Sequence, residues 1–288
     1  MYKTLITVQQ LKVLQSSQQP CMVFDCSFDL MDPLQGDIQY QSKHIVGAVR
    51  ADLNQHLSTK NSTDCASSGR HPLPSRDNFA KWLSSVGFRN GMQAVVYDRQ
   101  GVNYCGRLWW MLKWVGHEAT AVLDGGLQAW EDSQGVIEVG ITFKENSIED
   151  GRFELSSEKA NLIQTQQLMD NLGRPNQTLV DARSPARFRG ETEPLDPVAG
   201  HIPGALNRPF VLNLNKQGKF KSAEELRSEF LVLLAGRQPS QVIHHCGSGV
   251  SAVPNILAME IAGLGMTGLY AGSWSEWCAD PSRPIAQG

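Results

Sequence analysis

The sequence contains no Cys-x-x-Cys pair. Its six cysteines, Cys21, Cys26, Cys65, Cys105, Cys246 and Cys278, are scattered along 288 residues. A chain of that length can bury an adequate core without disulfide staples. No apolar run approaches the roughly 18 residues of a membrane span. The start, MYKTLITVQQLKVLQ, has no small-residue cleavage site behind an apolar segment. These absences lead to the expectation of a cytoplasmic protein with reduced thiols and no membrane partner. An excess of one charge sign is also missing. The net charge of −3 offers nothing to draw nucleic acid or an anionic bilayer, although a local basic site could still hold a small anion. No glycine loop ends in Gly-Lys-Ser/Thr, which excludes a P-loop nucleotide site. No second Cys/His cluster with ligand spacing accompanies the His-His-Cys run at 244–246, so neither metal nor cofactor is expected.

What the sequence does have is itself, twice. MVFDCSF at 22–28 matches TLVDARS at 178–184, and HIVGAVRADL at 44–53 matches HIPGALNRPF at 201–210. AVVYDRQGV at 94–102 matches VIHHCGSGV at 242–250, and VLDGGLQAW at 122–130 matches LYAGSWSEW at 269–277. Four landmarks in the same order indicate a duplication, and hence two domains of one fold. The first half carries about nine extra residues, within the Ser/Thr/Asn/Gly-rich stretch 57–74. The expected boundaries are a first domain at 1–138, a linker at 139–158 and a second domain at 159–288. In each half, short β-rich runs alternate with helical patterns such as SAVPNILAMEIAGLG at 251–265. That alternation predicts an α/β fold: in each domain, a mostly parallel sheet flanked by helices, with its site at the carboxyl ends of the strands.

Cys246 falls at such an end. It closes the run QVIHH, and Gly247, Ser248, Gly249, Val250 and Ser251 separate it from the next helix. The glycines allow a tight turn that exposes successive N–H groups, and the helix start adds positive dipole character. Such a cradle holds an anion and favours the thiolate, the nucleophilic form of cysteine. A lone cysteine in an α/β protein is more often a small apolar filler. That reading suits the other five cysteines, which lack this context. His244 and His245 point to opposite faces of a strand and read as packing or hydrogen-bonding residues. A cysteine phosphatase needs an arginine at the end of the loop to grip phosphate. Ala252 stands there, and the loop holds no cation.

With DARSPARFRGETEP at 181–194, HIPGAL at 201–206, CGSGVSA at 246–252 and YAGSWSEW at 270–277, the chain resembles the tandem-domain sulfurtransferases of the rhodanese superfamily over essentially its whole length. The resemblance implies two rhodanese folds, of which only the second is catalytic. It implies that Cys246 takes a sulfane sulfur as a persulfide and passes it to a thiol, thioredoxin or cyanide. The first domain has Asp98 in the place of Cys246 and would lack the chemistry. The loop Cys-Gly-Ser-Gly-Val-Ser-Ala is similar to that of members preferring 3-mercaptopyruvate, with thiosulfate as the alternative donor. By the same resemblance Ser248 works with a histidine, matched by His71 in HPLP, and Arg187 holds the donor's anionic group. The aspartate expected to support His71 is replaced by Asn54, with Asp52 two residues away. A second arginine, about nine residues after Arg187 in the mercaptopyruvate group, has no match, and Arg189 is the nearest candidate. Arg183 reads as an ion-pair partner of Asp181, and His201, like its counterpart His44, as a residue that fixes the turn of HIPG.

Overall fold

The computed structural model describes residues 1–61, 63–140 and 152–288. Of the expected linker, residues 141–151 lie outside the described residues, as does Ser62 in the polar loop. The chain divides into two compact units. Unit 1 comprises Met1–Thr59, Pro74–Lys159 and Gln217–Lys219; unit 2 comprises Lys60–Leu73, Ala160–Lys216 and Phe220–Gly288. Most of the loop unique to the first half of the sequence therefore folds as part of unit 2.

Unit 1 contains the strands β1 (Leu5–Ile6), β2 (Cys21–Asp25), β3 (His44–Ile45), β4 (Val49–Arg50), β5 (Gln93–Tyr97), β6 (Thr120–Leu123) and β7 (Ile137–Glu138). Five of them form a parallel sheet in the order β1-β6-β5-β2-β4, and β3 pairs antiparallel with β7. Unit 2 contains β8 (Asn161–Leu162), β9 (Thr178–Asp181), β10 (Leu206–Asn207), β11 (Val242–His245) and β12 (Gly268–Leu269). Its parallel sheet runs β10-β9-β11-β12-β8. Read from the opposite edge, this is the order of unit 1, strand for strand. Register agrees as well: Asp25 stands opposite Tyr97, and Asp181 opposite His245. The central strand QAVVY is buried at every residue, as a strand covered on both faces by helices must be.

The turns that follow β2 and β9 are built alike. His44 Nδ1 lies 2.8 Å from the Tyr40 carbonyl oxygen, with the two rings stacked at 4.0 Å. His201 Nδ1 lies 2.8 Å from the Phe188 carbonyl oxygen, with its ring stacked at 3.8 Å on Phe188. Both histidines fix a turn, as their shared HIxG context suggests. The helices after the two central strands, Cys105–Trp114 and Val253–Ile261, lie deep in their units. All ten residues of the first and the first seven of the second are buried. Pro254 is accommodated in the first turn of the latter, where its missing N–H costs nothing.

His244 is fully buried, with Nε2 3.2 Å from Met259 Sδ. Burial drives its pKa down to about 3. The folded protein therefore holds this ring neutral, whereas the unfolded chain protonates it below about 6.5. As pH falls from 6.5 toward 3, the unfolded state binds the extra proton and stability declines. Urea denaturation is expected to show a loss of about 2 kcal/mol from this residue between pH 7 and pH 5. Replacing His244 with leucine should reduce that pH-dependent loss by the same amount.

Candidate active site

The loops after the central strands show two versions of one anion cradle. In unit 1 the occupant is a side chain. Asp98 Oδ1 accepts hydrogen bonds from the amides of Gln100 and Val102, both at 3.0 Å. Asp98 Oδ2 accepts from the amides of Tyr104 at 2.8 Å and Cys105 at 2.9 Å. Four backbone donors thus converge on one buried carboxylate. The Asp98 carbonyl oxygen accepts from Leu127 N at 3.2 Å, which ties the loop to the next helix of the repeat.

In unit 2 the corresponding position is Cys246, buried at the carboxyl end of β11. Its carbonyl oxygen accepts from Trp274 N at 3.0 Å, the counterpart of the Asp98–Leu127 bond. Its own amide donates to Ser273 Oγ at 3.1 Å. Ser248, Val250 and Ala252 occupy the loop positions of Gln100, Val102 and Tyr104. Their amides donate to no oxygen among the described residues. Three of the four donors that clasp a carboxylate in one repeat are thus held ready beside a thiol in the other, while the counterpart of the fourth, Val253 N, donates to the Val250 carbonyl oxygen at 3.1 Å. Gly249 makes the turn possible. It has φ +73°, and a Cβ there would overlap the carbonyl oxygen of Ala271. Gly101 holds the same conformation in unit 1, at φ 66°.

The remaining site residues come from two segments of unit 2. Ser248 Oγ and His71 Nδ1 lie 2.8 Å apart, both buried. Arg187 sits at the end of the short helix Pro185–Phe188. Its Nε and Nη2 donate to Glu193 at 3.1 and 2.6 Å, and Nη2 lies 3.3 Å from Asp196 Oδ2. The structure also brings in Arg70, Glu193 and Asp196, which sequence reading did not assign to the site. Arg70 Nη1 donates to Asp196 Oδ1 at 2.7 Å. A Cβ built on Gly247 would lie 3.0 Å from Arg70 Nη2 and 3.5 Å from both Nη atoms of Arg187. Two guanidinium groups therefore pack against the residue next to Cys246, and two carboxylates answer their charge. Burial pushes the Asp196 carboxyl upward, an effect that Arg70 opposes. The signal for Arg70 was present in the sequence as its place directly before His71. The fold that carries 60–73 into unit 2 was not.

Arg189, the candidate second arginine, is instead an exposed residue paired with Glu191 at 2.7 Å. Arg183 clasps Asp181 with Nη2 at 2.6 Å and Nε at 3.0 Å from Oδ2, both side chains buried. Asp52 is engaged within unit 1. It accepts from Arg50 Nη2 at 2.9 Å and from the amides of Asn54 and Gln55 at 2.8 and 2.9 Å.

Two parallel-sheet α/β units of identical strand order, one ending its central strand in a cysteine within an open amide cradle, define a tandem-domain protein with a single candidate thiol site. The model of the rhodanese-like domain matches residues 7–133 and again 164–280, and the chain belongs to that family. It is 42% identical over 285 residues to a protein of Pseudomonas aeruginosa named as a probable 3-mercaptopyruvate sulfurtransferase, covering 99% of this chain and 98% of that one. It is 32% identical to the thiosulfate sulfurtransferase of Cricetulus griseus, covering 100% and 97% of the two chains. Among solved structures, the 3-mercaptopyruvate sulfotransferase SseA of Escherichia coli superposes with a TM-score of 0.76 at 27% identity, over 95% of this chain and all of that one.

Proposed function

We propose that the protein is a sulfurtransferase that takes a sulfane sulfur from 3-mercaptopyruvate onto Cys246 and hands it to a thiol, such as thioredoxin, or to cyanide. The observation that carries this reading is the open amide cradle at Cys246, whose twin in unit 1 holds a carboxylate. In the first half-reaction the Cys246 thiolate attacks the donor's sulfur. An S–S bond forms and the donor's C–S bond breaks. The electron pair leaves as the enolate of pyruvate, which takes up a proton. In the second, the acceptor nucleophile attacks the outer sulfur and the Cys246 thiolate leaves. The loop amides from Gly247 to Ser251 stabilise the negative sulfur throughout. Ser248, hydrogen-bonded to His71, supplies a hydroxyl to the enolate or its carbonyl. Arg187 contributes positive charge beside the donor's carboxylate. Unit 1, with Asp98 in its cradle, supplies no nucleophile.

The site's charge favours this donor. Arg70 and Arg187 are balanced by Glu193 and Asp196, and the loop itself is neutral. A monoanion suits such a site better than dianionic thiosulfate with its charged sulfite leaving group. Thiosulfate is the second reading, and the two guanidinium groups against Gly247 are what favour it. The six cysteines are free thiols, which suits a reducing, cytoplasmic setting. No helix among the described residues is long and apolar enough to cross a membrane.

Steady-state kinetics with cyanide as common acceptor test the choice. The expected result is a kcat/KM for 3-mercaptopyruvate at least about tenfold above that for thiosulfate, a difference of about 1.4 kcal/mol in transition-state binding. Better use of thiosulfate would remove the mercaptopyruvate reading and leave the persulfide chemistry standing.

A further inference from the structure

We propose that Ser273 is a positioning residue for the nucleophile: its hydroxyl holds the backbone of Cys246, so that the sulfur keeps one direction while its own partners change. This rests on the reading of Cys246 as the sulfur carrier. Ser273 is fully buried and stands in the left-handed region, at φ 55°. A serine there carries a strain that a glycine would not. The other repeat shows the relaxed alternative. Gly126 holds the matching position of unit 1, at φ 57°. A Cβ on Gly126 would overlap the Asp98 carbonyl oxygen, so unit 1 has no room for a side chain at this point. Unit 2 makes that room and bears the strain. A strained residue kept where its twin is relaxed points to a task for its side chain.

A serine hydroxyl has one proton to give and lone pairs to accept with. Here the proton goes to the Tyr270 carbonyl oxygen at 2.9 Å. A lone pair is thereby turned to the Cys246 amide, which donates to Ser273 Oγ at 3.1 Å. The Cys246 carbonyl oxygen accepts from Trp274 N at 3.0 Å, and the Gly247 carbonyl oxygen from Ser275 N at 2.9 Å. The peptide planes on both sides of Cys246 are therefore anchored by adjacent residues, 273 and 274. Fixing both planes fixes φ and ψ of Cys246, and with them the direction of its Cα–Cβ bond. Asp98 needs no such aid, because its own carboxylate is tied to four amides. A sulfur that is loaded and stripped at each turnover cannot tie itself in that way. Its direction has to be set by the backbone, and the Ser273 hydroxyl supplies a side-chain anchor that glycine at the matching position cannot.

The test sets Ser273→Gly beside Ser273→Ala. Glycine relieves the strain and alanine keeps it, while both remove the hydroxyl. Transient kinetics of persulfide formation with 3-mercaptopyruvate, in the absence of acceptor, separate donor binding from the chemical step. In both variants the maximal rate, scored per folded molecule, should fall about ten- to a hundredfold, the size expected when a reacting atom is displaced by about 1 Å. The donor concentration giving half that rate should stay within about threefold of wild type. Ser273→Gly is expected to fold, since Gly126 already makes the same turn, and it decides alone if Ser273→Ala unfolds. A maximal rate for Ser273→Gly within about twofold of wild type overturns the proposal, because strain and not the missing hydroxyl would then explain any loss in Ser273→Ala. So does weakened donor binding at an unchanged maximal rate, which would make Ser273 a brace for the donor pocket. If wild-type protein ignores 3-mercaptopyruvate and is loaded by thiosulfate, the donor reading has failed separately, and the same rates measured with thiosulfate decide the role of Ser273. Wild-type protein loaded by neither donor would remove the proposed function and this inference together.

Discussion

Cys246→Ser is expected to carry no sulfane sulfur after incubation with donor, and its turnover should fall by at least about 10⁴-fold, as for other lost nucleophiles. The competing thiols make this a sharp expectation. Cys26 and Cys105 are fully buried, and burial raises their pKa well above the ordinary cysteine value, with nearby carboxylates adding to the effect. Burial raises Cys278 as well. Each is thereby kept in the unreactive thiol form. Cys21 and Cys65 are partly exposed, but Cys21 opens strand β2 and Cys65 lies in the polar loop 57–74, so neither follows a central strand as Cys246 does. Donor is mixed with protein in the absence of acceptor, and peptide mass spectrometry locates the added sulfur. A stable extra sulfur on any other cysteine in Cys246→Ser, together with retained turnover, would move the chemistry away from the loop.

Much of the fold was readable because a duplicated sequence reports each element twice. The strand ends at Asp25 and Asp181, the HIxG turns and the loops at Asp98 and Cys246 are spaced so that two sheets of one strand order follow. His71 and Ser248 lie 177 residues apart and could be paired only through family resemblance, since local periodicity carries no information over that separation. Arg70 escaped for a related reason. Its neighbour His71 was recognised from its motif, while the arginine looks like any surface cation until 60–73 is seen to fold into unit 2. Asp196 stands nine residues after Arg187, in the region where the mercaptopyruvate group has its second arginine. In space, however, Asp196 holds Arg70, so a guanidinium reaches the same loop from the other half of the chain. Side-chain pairings of this kind depend on tertiary placement, which pattern and propensity leave open.

Asp98→Ala should destabilise unit 1 strongly while leaving the chemistry of unit 2 in place. The carboxylate answers four backbone donors at 2.8–3.0 Å and is nearly inaccessible to solvent. Removing it strands those donors beside a small void. Each buried donor left without a partner costs about 1–3 kcal/mol, though water entering the void would recover part of that. A total loss of about 4 kcal/mol is expected, large for one residue and comparable with breaking a buried polar network. Asp98→Asn should fall between the two. Its amide oxygen can accept from one pair of N–H groups, but its NH2 faces the other pair as a donor against donors. Urea unfolding followed by tryptophan fluorescence reads the loss, since Trp82, Trp109, Trp110, Trp114 and Trp130, five of the seven tryptophans, lie in unit 1. Persulfide yield on Cys246, scored per folded molecule at low temperature, should stay near that of wild type. A stability unchanged within about 0.5 kcal/mol would mean that water replaces the carboxylate without cost, and that the cradle of unit 1 needs no anion. A collapse of persulfide yield with unit 1 still folded would instead give Asp98 a part in the chemistry, contrary to its role as the fixed anion of a loop that has exchanged its cysteine for an acid.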